Sequence, residues 1–73
     1  MINWEKLMKD IAVGSKVRIL EQPNISGRQY GLTFTVKQIT PTDSGRKIYH
    51  PEEKEIEGVP LYGYYYTDEV ELI

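Results

Sequence analysis

Gly63-Tyr64-Tyr65-Tyr66-Thr67-Asp68-Glu69-Val70-Glu71-Leu72-Ile73, the last eleven of 73 residues, decide the fold when set against residues 13–39. Upstream, Lys16-Val17-Arg18-Ile19-Leu20 and Thr33-Phe34-Thr35-Val36-Lys37 alternate apolar and polar side chains, with a Pro- and Gly-bearing stretch between them. Alternation at period two sends successive side chains to opposite faces of a strand, so each strand buries one face only. The closing stretch has the same grammar: an aromatic strand, a polar corner at Thr67-Asp68-Glu69, and a final strand over residues 70–73. Several such one-faced strands in so short a chain must curl around one core, which predicts a small β-barrel.

The rest of the chain fits around these strands. Trp4, Leu7, Met8 and Ile11 recur at the spacing of one helix face, and Asn3 can cap the first turn, which predicts a short helix over residues 4–10. Residues 16–21 form the first strand, with Val17 and Ile19 inward. Residues 22–31 hold Pro23, Asn24, Ser26, Gly27 and Gly31 and read as a long connecting loop. Residues 32–39 form the second strand, with Leu32, Phe34 and Val36 on one face. Bringing Ile39 to that same face requires a change of phase near Gln38, such as a β-bulge. Residues 40–45 read as a turn and residues 46–50 as a third strand with Ile48 inward. Pro51-Glu52-Glu53-Lys54-Glu55 is the most polar stretch and reads as a mobile exposed loop or a single helical turn. Pro60 interrupts the next run, so a strand is expected from Leu61 through Tyr66.

Length and composition set limits. A chain of 73 residues holds one domain and buries only about 60% of its unfolded surface, so a few large side chains must supply the core. Six Tyr, one Trp and one Phe provide that bulk. There is no Cys and a single His, His50, so neither a disulfide framework nor a thiolate or His-cluster metal site is expected. No apolar run approaches a membrane span, and charged residues interrupt the first thirteen positions, so the expectation is a cytoplasmic protein without signal peptide or membrane contact. The net charge of −2 hides an asymmetry: residues 1–47 carry +4 and residues 48–73 carry −6. In one small barrel such halves interleave as mixed surface charge, or else leave an acidic face for a basic partner.

Gly14-Ser15-Lys16-Val17-Arg18-Ile19-Leu20, then a Gly-bearing loop, Phe34-Thr35-Val36, an aromatic strand and Asp68-Glu69-Val70-Glu71-Leu72 together resemble small SH3-like (KOW-like) β-barrel proteins of bacteriophages and prophages. The resemblance covers residues 13–39 and 61–73. It implies a mainly β fold, a single SH3-like five-stranded barrel over residues 1–73, with the N-terminal helix within residues 1–12 and an acidic insertion over residues 40–60. It also implies an accessory factor or an inhibitor of host machinery, one route being an acidic patch (Glu52 to Glu57, Asp68, Glu69, Glu71) that mimics nucleic acid. In such barrels the first long loop borders a ligand groove, which points to Arg28, Gln29 and Tyr30 as partner-binding residues.

No constellation in the sequence carries enzymatic chemistry or asks for a cofactor. Glu52, Glu53, Glu55 and Glu57 share one hydrophilic run, and Ser15, Ser26 and Ser44 sit among turn residues where hydroxyls cap backbone groups. Binding is the better class. Tyr62, Tyr64 and Tyr66 lie on one side of their strand and Leu61 and Tyr65 on the other, so one set must face outward. If the three tyrosines are outside, they either pack under the helix and acidic segment or form a strip for a protein partner. Lys16, Arg18, Arg28, Lys37, Arg46 and Lys47, with Tyr30 among them, define the alternative, a nucleic-acid-binding strip; an isoelectric point near 5.3 argues against it.

Trp4 leads the apolar face of the expected helix and should be buried on the barrel, so truncating it should cost about 3 kcal/mol. As the single Trp of the chain, it can be read directly: a blue-shifted emission maximum is expected in the folded protein, and a water-like maximum would rule the packing out.

Overall fold

The period-two run around Val17 forms strand β1 (Lys16–Ile19), with Val17 and Ile19 buried and Lys16 and Arg18 exposed. The structure is a computed structural model that describes residues 11–73; the expected helix, and Trp4 with it, lies outside the described residues. Strand β2 (Thr33–Pro41) runs antiparallel to β1 with Val17 opposite Phe34, so the two apolar faces coincide. The remaining strands are β3 (Lys47–Pro51), β4 (Glu55–Ile56), β5 (Val59–Pro60), β6 (Tyr65–Tyr66) and β7 (Val70–Leu72). Among the described residues the only helical segments are two 3-10 turns, Gly27–Gln29 and Thr67–Glu69. No helix there is long and apolar enough to cross a membrane.

Five strands make one antiparallel sheet in the order β6-β3-β2-β1-β7, and β4 and β5 form a separate hairpin. Strand β7 returns through the second 3-10 turn to pair with β1, placing Leu72 opposite Val17 and Val70 opposite Ile19. The first and last strands are therefore neighbours. The ladder leaves β6 and β7 as its two edges, so a five-stranded antiparallel sheet is present, but backbone pairing does not close it into the expected barrel.

The change of phase anticipated near Gln38 is present. Val36 lies opposite Pro51 and Gln38 opposite His50, so Lys37 is the extra residue of a bulge. Phe34 and Val36 point into the core before it, and Ile39 packs against the core after it. The same register overturns the expectation for the third strand: with Ile39 opposite Tyr49, it is Tyr49 that is buried, while Ile48 lies opposite Tyr66 and is only half-buried. The expected turn over residues 40–45 is also shorter, since β2 continues through Pro41; the reversal is closed by Thr42 N–H to the Arg46 carbonyl, 2.8 Å.

The acidic stretch is built into the fold rather than looped out. Glu57 and Gly58 both have positive φ, 51° and 80°, the requirement of a two-residue hairpin turn of the primed type. That turn pairs Ile56 with Val59 and Glu55 with Pro60, and Ile56 packs against the core. Pro60 thus sits inside a short strand, where its missing N–H costs no ladder bond, and the expected strand over residues 61–66 contracts to β6 alone. Thr35 holds the segment from the sheet side: its carbonyl accepts from Glu52 N–H at 2.8 Å, and its N–H donates to Glu53 Oε1 at 2.9 Å.

Val17, Ile19, Ile25, Phe34, Val36, Tyr49, Tyr65 and Val70 form the core. Ile25 comes from the first long loop, which is therefore anchored inward rather than free. Tyr65 is fully buried and stacks on Phe34 with ring centroids 5.1 Å apart. Its hydroxyl donates to Gln29 Oε1 at 2.5 Å and accepts from Tyr62 N–H at 3.0 Å. Gln29 Nε2 in turn donates to the Pro60 carbonyl at 3.2 Å, so the buried polar groups of this knot are all paired. Burial raises the Tyr65 hydroxyl above its ordinary value of 10.0, and the protonated phenol is the form that can donate to Gln29.

Tyr65→Phe keeps the ring and leaves Gln29 Oε1 and Tyr62 N–H without their partner. It should lower stability by about 2 kcal/mol, since buried polar groups lose their bonds without regaining water. A urea midpoint equal to that of the wild type would show that the knot contributes nothing.

Candidate functional site

The short strand β6 and the irregular residues 61–64 leading into it decide what this part of the protein shows to solvent. With Tyr65 committed to the core, the tyrosines on either side turn outward: Tyr62 is 41% and Tyr64 48% exposed, and Tyr66 is half-buried. Tyr62, Tyr64 and Tyr66 line a surface groove of about 320 Å³ together with Asn24 and Glu69, while the expected packing under the helix lies outside the described residues. Tyr62 stacks on Tyr65 from outside, 5.5 Å between centroids, and its hydroxyl accepts from Ser26 N–H at 3.0 Å. The first long loop is thereby tied to the aromatic segment. Tyr64 and Tyr66 stand at right angles, 89°, with centroids 5.6 Å apart.

Charged groups fix this surface. Glu69 Oε1 accepts from Tyr66 N–H at 2.8 Å, which holds the carboxylate at the groove rather than letting it swing away. Arg46, from the β2–β3 connection, lies over the Tyr66 ring 4.2 Å from its centroid, and Asp68 pairs with its guanidinium. The hydrogen bond with Arg46 keeps the Asp68 carboxyl below its ordinary value. The bond between the phenols of Tyr64 and Tyr66 raises the Tyr64 hydroxyl above 10.0, with repulsion from Tyr66, slight burial and the negative charge of Glu69 acting in the same direction.

The residues expected in the first loop divide. Arg28 is exposed on the first 3-10 turn. Tyr30 is 37% exposed, with its hydroxyl donated to the Gln22 carbonyl at 3.1 Å. Gln29 is 3% exposed with both ends of its amide engaged, so it serves the core and is not presented to a partner. The loop residue that does line the groove is Asn24, which the sequence marks only as part of a Pro-Asn turn. Glu69 lines it as well, and Arg46 stacks on the Tyr66 ring without lining the groove; sequence reading placed neither, and both follow from the 3-10 turn and the hairpin flanking β6.

Part of the basic strip is engaged by acids. Arg18 pairs with Glu71 at 3.2 Å, Arg46 with Asp68, and Lys16 lies close enough to Glu53 to act on its ionisation. Acids of the second half of the chain are thus threaded among bases of the first half. A second, smaller hollow of about 220 Å³ lies on the other side of Tyr62, between Lys37, His50 and Glu53, where His50 Nε2 meets Thr40 Oγ1 at 3.0 Å. Among the described residues no three His, Cys, Asp or Glu side chains are grouped to hold a metal ion. Comparison with protein-family models, with curated proteins and with solved structures finds no match.

Burial alone would raise Glu53, but bonds from the Thr35 N–H, its own N–H and the Thr35 hydroxyl, together with nearby Lys16, bring it below its ordinary 4.5. A carboxyl depressed in the folded state stabilises fully above its unfolded value, and the contribution is lost as pH falls through the lower folded value. Stability should therefore begin to fall below about pH 4.5. In Glu53→Gln the fall should be shallower; parallel thermal-melting curves for the two proteins between neutral pH and pH 3, a window set by roughly the ordinary carboxylate range, would remove Glu53 from the account.

Proposed function

We propose that the chain is a non-enzymatic protein-binding module on an SH3-like barrel, acting in the cytoplasm through the tyrosine groove. The observation that carries this reading is the outward trio Tyr62, Tyr64 and Tyr66 around a groove of about 320 Å³, beside a rigidly held loop. Tyrosine gives large contact area at little cost in conformational freedom, which is why it is enriched where partners bind. The sheet order, with the last strand returning through a 3-10 turn to pair with the first, supports the SH3-like assignment. Following the resemblance in residues 13–39 and 61–73, the proposed setting is that of a bacteriophage accessory factor or an inhibitor of host machinery. The pairing of Arg18 and Arg46 with Glu71 and Asp68 weighs against the nucleic-acid alternative, since each paired base has less to offer a phosphate.

Affinity capture from a lysate of the source organism's host, run in parallel with wild type and Tyr64→Ala, tests the reading. Tyr64 is about half exposed, so its truncation should leave the fold intact while a specific partner is lost. A partner retained equally by both proteins would place binding elsewhere. Tight binding to generic duplex DNA with a steep loss of affinity in salt, a log–log slope of about −0.9 per neutralised phosphate, would replace the proposal with the nucleic-acid one.

A further inference from the structure

We infer that the occupant of the tyrosine groove is an arginine side chain presented by the partner, an inference that rests on the groove being the binding surface. The fold already contains the arrangement once, internally. Arg46 lies over the Tyr66 ring at 4.2 Å, and Asp68 engages its guanidinium. A tyrosine face and a carboxylate together hold a planar cation there: the ring supplies its negative face and the carboxylate accepts the hydrogen bonds.

The groove offers the same two components again, with no base of the described residues in its lining. Its lining is Asn24, Tyr62, Tyr64, Tyr66 and Glu69: three phenol rings, one neutral amide and one carboxylate. No Lys or Arg among the described residues lines it. Glu69 Oε1 is spent on Tyr66 N–H, which orients the group, and its Oε2 makes no hydrogen bond with any described residue. The perpendicular setting of Tyr64 and Tyr66 is a corner whose walls are ring surfaces. Charge complementarity then selects the occupant. A carboxylate partner would be repelled by Glu69. An apolar side chain would strip water from Glu69 without replacing its hydrogen bonds. A guanidinium satisfies both the rings and the acid, and its weaker hydration makes it a better guest than an ammonium for a stacked site.

The probe is the tripeptide acetyl-Gly-Arg-Gly-amide, with its citrulline counterpart as the isosteric neutral control, titrated into the full-length protein and followed through the tyrosine ring signals by NMR. The arginine peptide should shift the signals of Tyr62, Tyr64 and Tyr66 saturably, and the citrulline peptide should bind at least about threefold more weakly. Glu69→Gln keeps an oxygen to accept from Tyr66 N–H and removes the charge, so its spectrum should show the native fold and its affinity for the arginine peptide should fall by about the same factor. Equal binding of arginine and citrulline peptides, or an unchanged affinity in Glu69→Gln, overturns the cation inference while leaving the groove as a binding surface. Absence of any saturable shift with the arginine peptide overturns it too. Whether the groove itself then survives is read separately, from partner capture by Tyr64→Ala.

Discussion

A single buried phenol, Tyr65, holds the two halves of this structure together. Its ring lies between Phe34 of β2 and Tyr62, so it bridges the sheet and the segment leading into β6. Its hydroxyl is a polar atom that the core must accommodate, and Gln29 meets it from the first loop. Gln29 then passes the constraint to the carbonyl of Pro60, at the end of the β4–β5 hairpin. Three segments distant in sequence are thereby fixed relative to one another by a few hydrogen bonds shielded from water, where leaving any one unmade is costly. The parity of the whole aromatic stretch follows. With Tyr65 inside, Tyr64 and Tyr66 must be outside, and the backbone turn that lets Tyr62 N–H reach the Tyr65 hydroxyl leaves the Tyr62 ring at the surface.

A second constraint, the bulge at Lys37, sets the other side of the molecule. One extra residue in β2 shifts the register so that Ile39 rather than Gln38 faces inward, and with it Tyr49 on β3. Strand β3 has neighbours on both sides, and the pairing of Tyr49 with Tyr65 aligns the two inward tyrosines in adjacent strands. Beyond the bulge, β2 reaches far enough for the hairpin to carry Arg46 over Tyr66. The charge asymmetry of the sequence dissolves in the same geometry. Strands β1 and β7 are neighbours, so Arg18 of the basic half meets Glu71 of the acidic half; β6 and β3 are neighbours, so Arg46 meets Asp68.

The strands that carry strict alternation were legible. Val17, Phe34, Val36 and Val70 each had polar neighbours on both sides, so only one phase was open to them, and Ile19 follows Val17 in phase across Arg18. The bulge was legible too, because Ile39 breaks the parity of Phe34 and Val36. Ile48 and Tyr49 were not, because adjacent apolar residues fit a strand in either phase and the choice rests with β2 and β6. The β4–β5 hairpin was hidden by composition: four glutamates dominate residues 52–57, and the decisive signal, Gly58 after Glu57 between Ile56 and Val59, is only two residues long. At the site, the tyrosine faces followed from alternation once Tyr65 was placed. Gln29 misled because a polar residue in a Gly-rich loop reads as exposed, and no local pattern reveals that a tyrosine hydroxyl thirty-six positions away needs its oxygen. Asn24 reaches the groove through tertiary placement, and Glu69 through the local 3-10 turn after Tyr66.

The groove differs from an incidental gap in how its walls are held. Surface aromatics without partners usually keep rotamer freedom, and that freedom would be lost on binding. Here Tyr62 is stacked on Tyr65 and bonded to the Ser26 N–H, Tyr66 lies under Arg46, and Glu69 is tied to the Tyr66 backbone. Tyr62, Tyr66 and Glu69 are thus each held by a neighbour. The proposed guest would meet side chains already held by these neighbours, and the buried Tyr65 knot also shapes the exposed face of the domain. Fold and surface share one cause: the same parity that places one tyrosine inside commits the others to the outside, with the neighbours needed to keep them still.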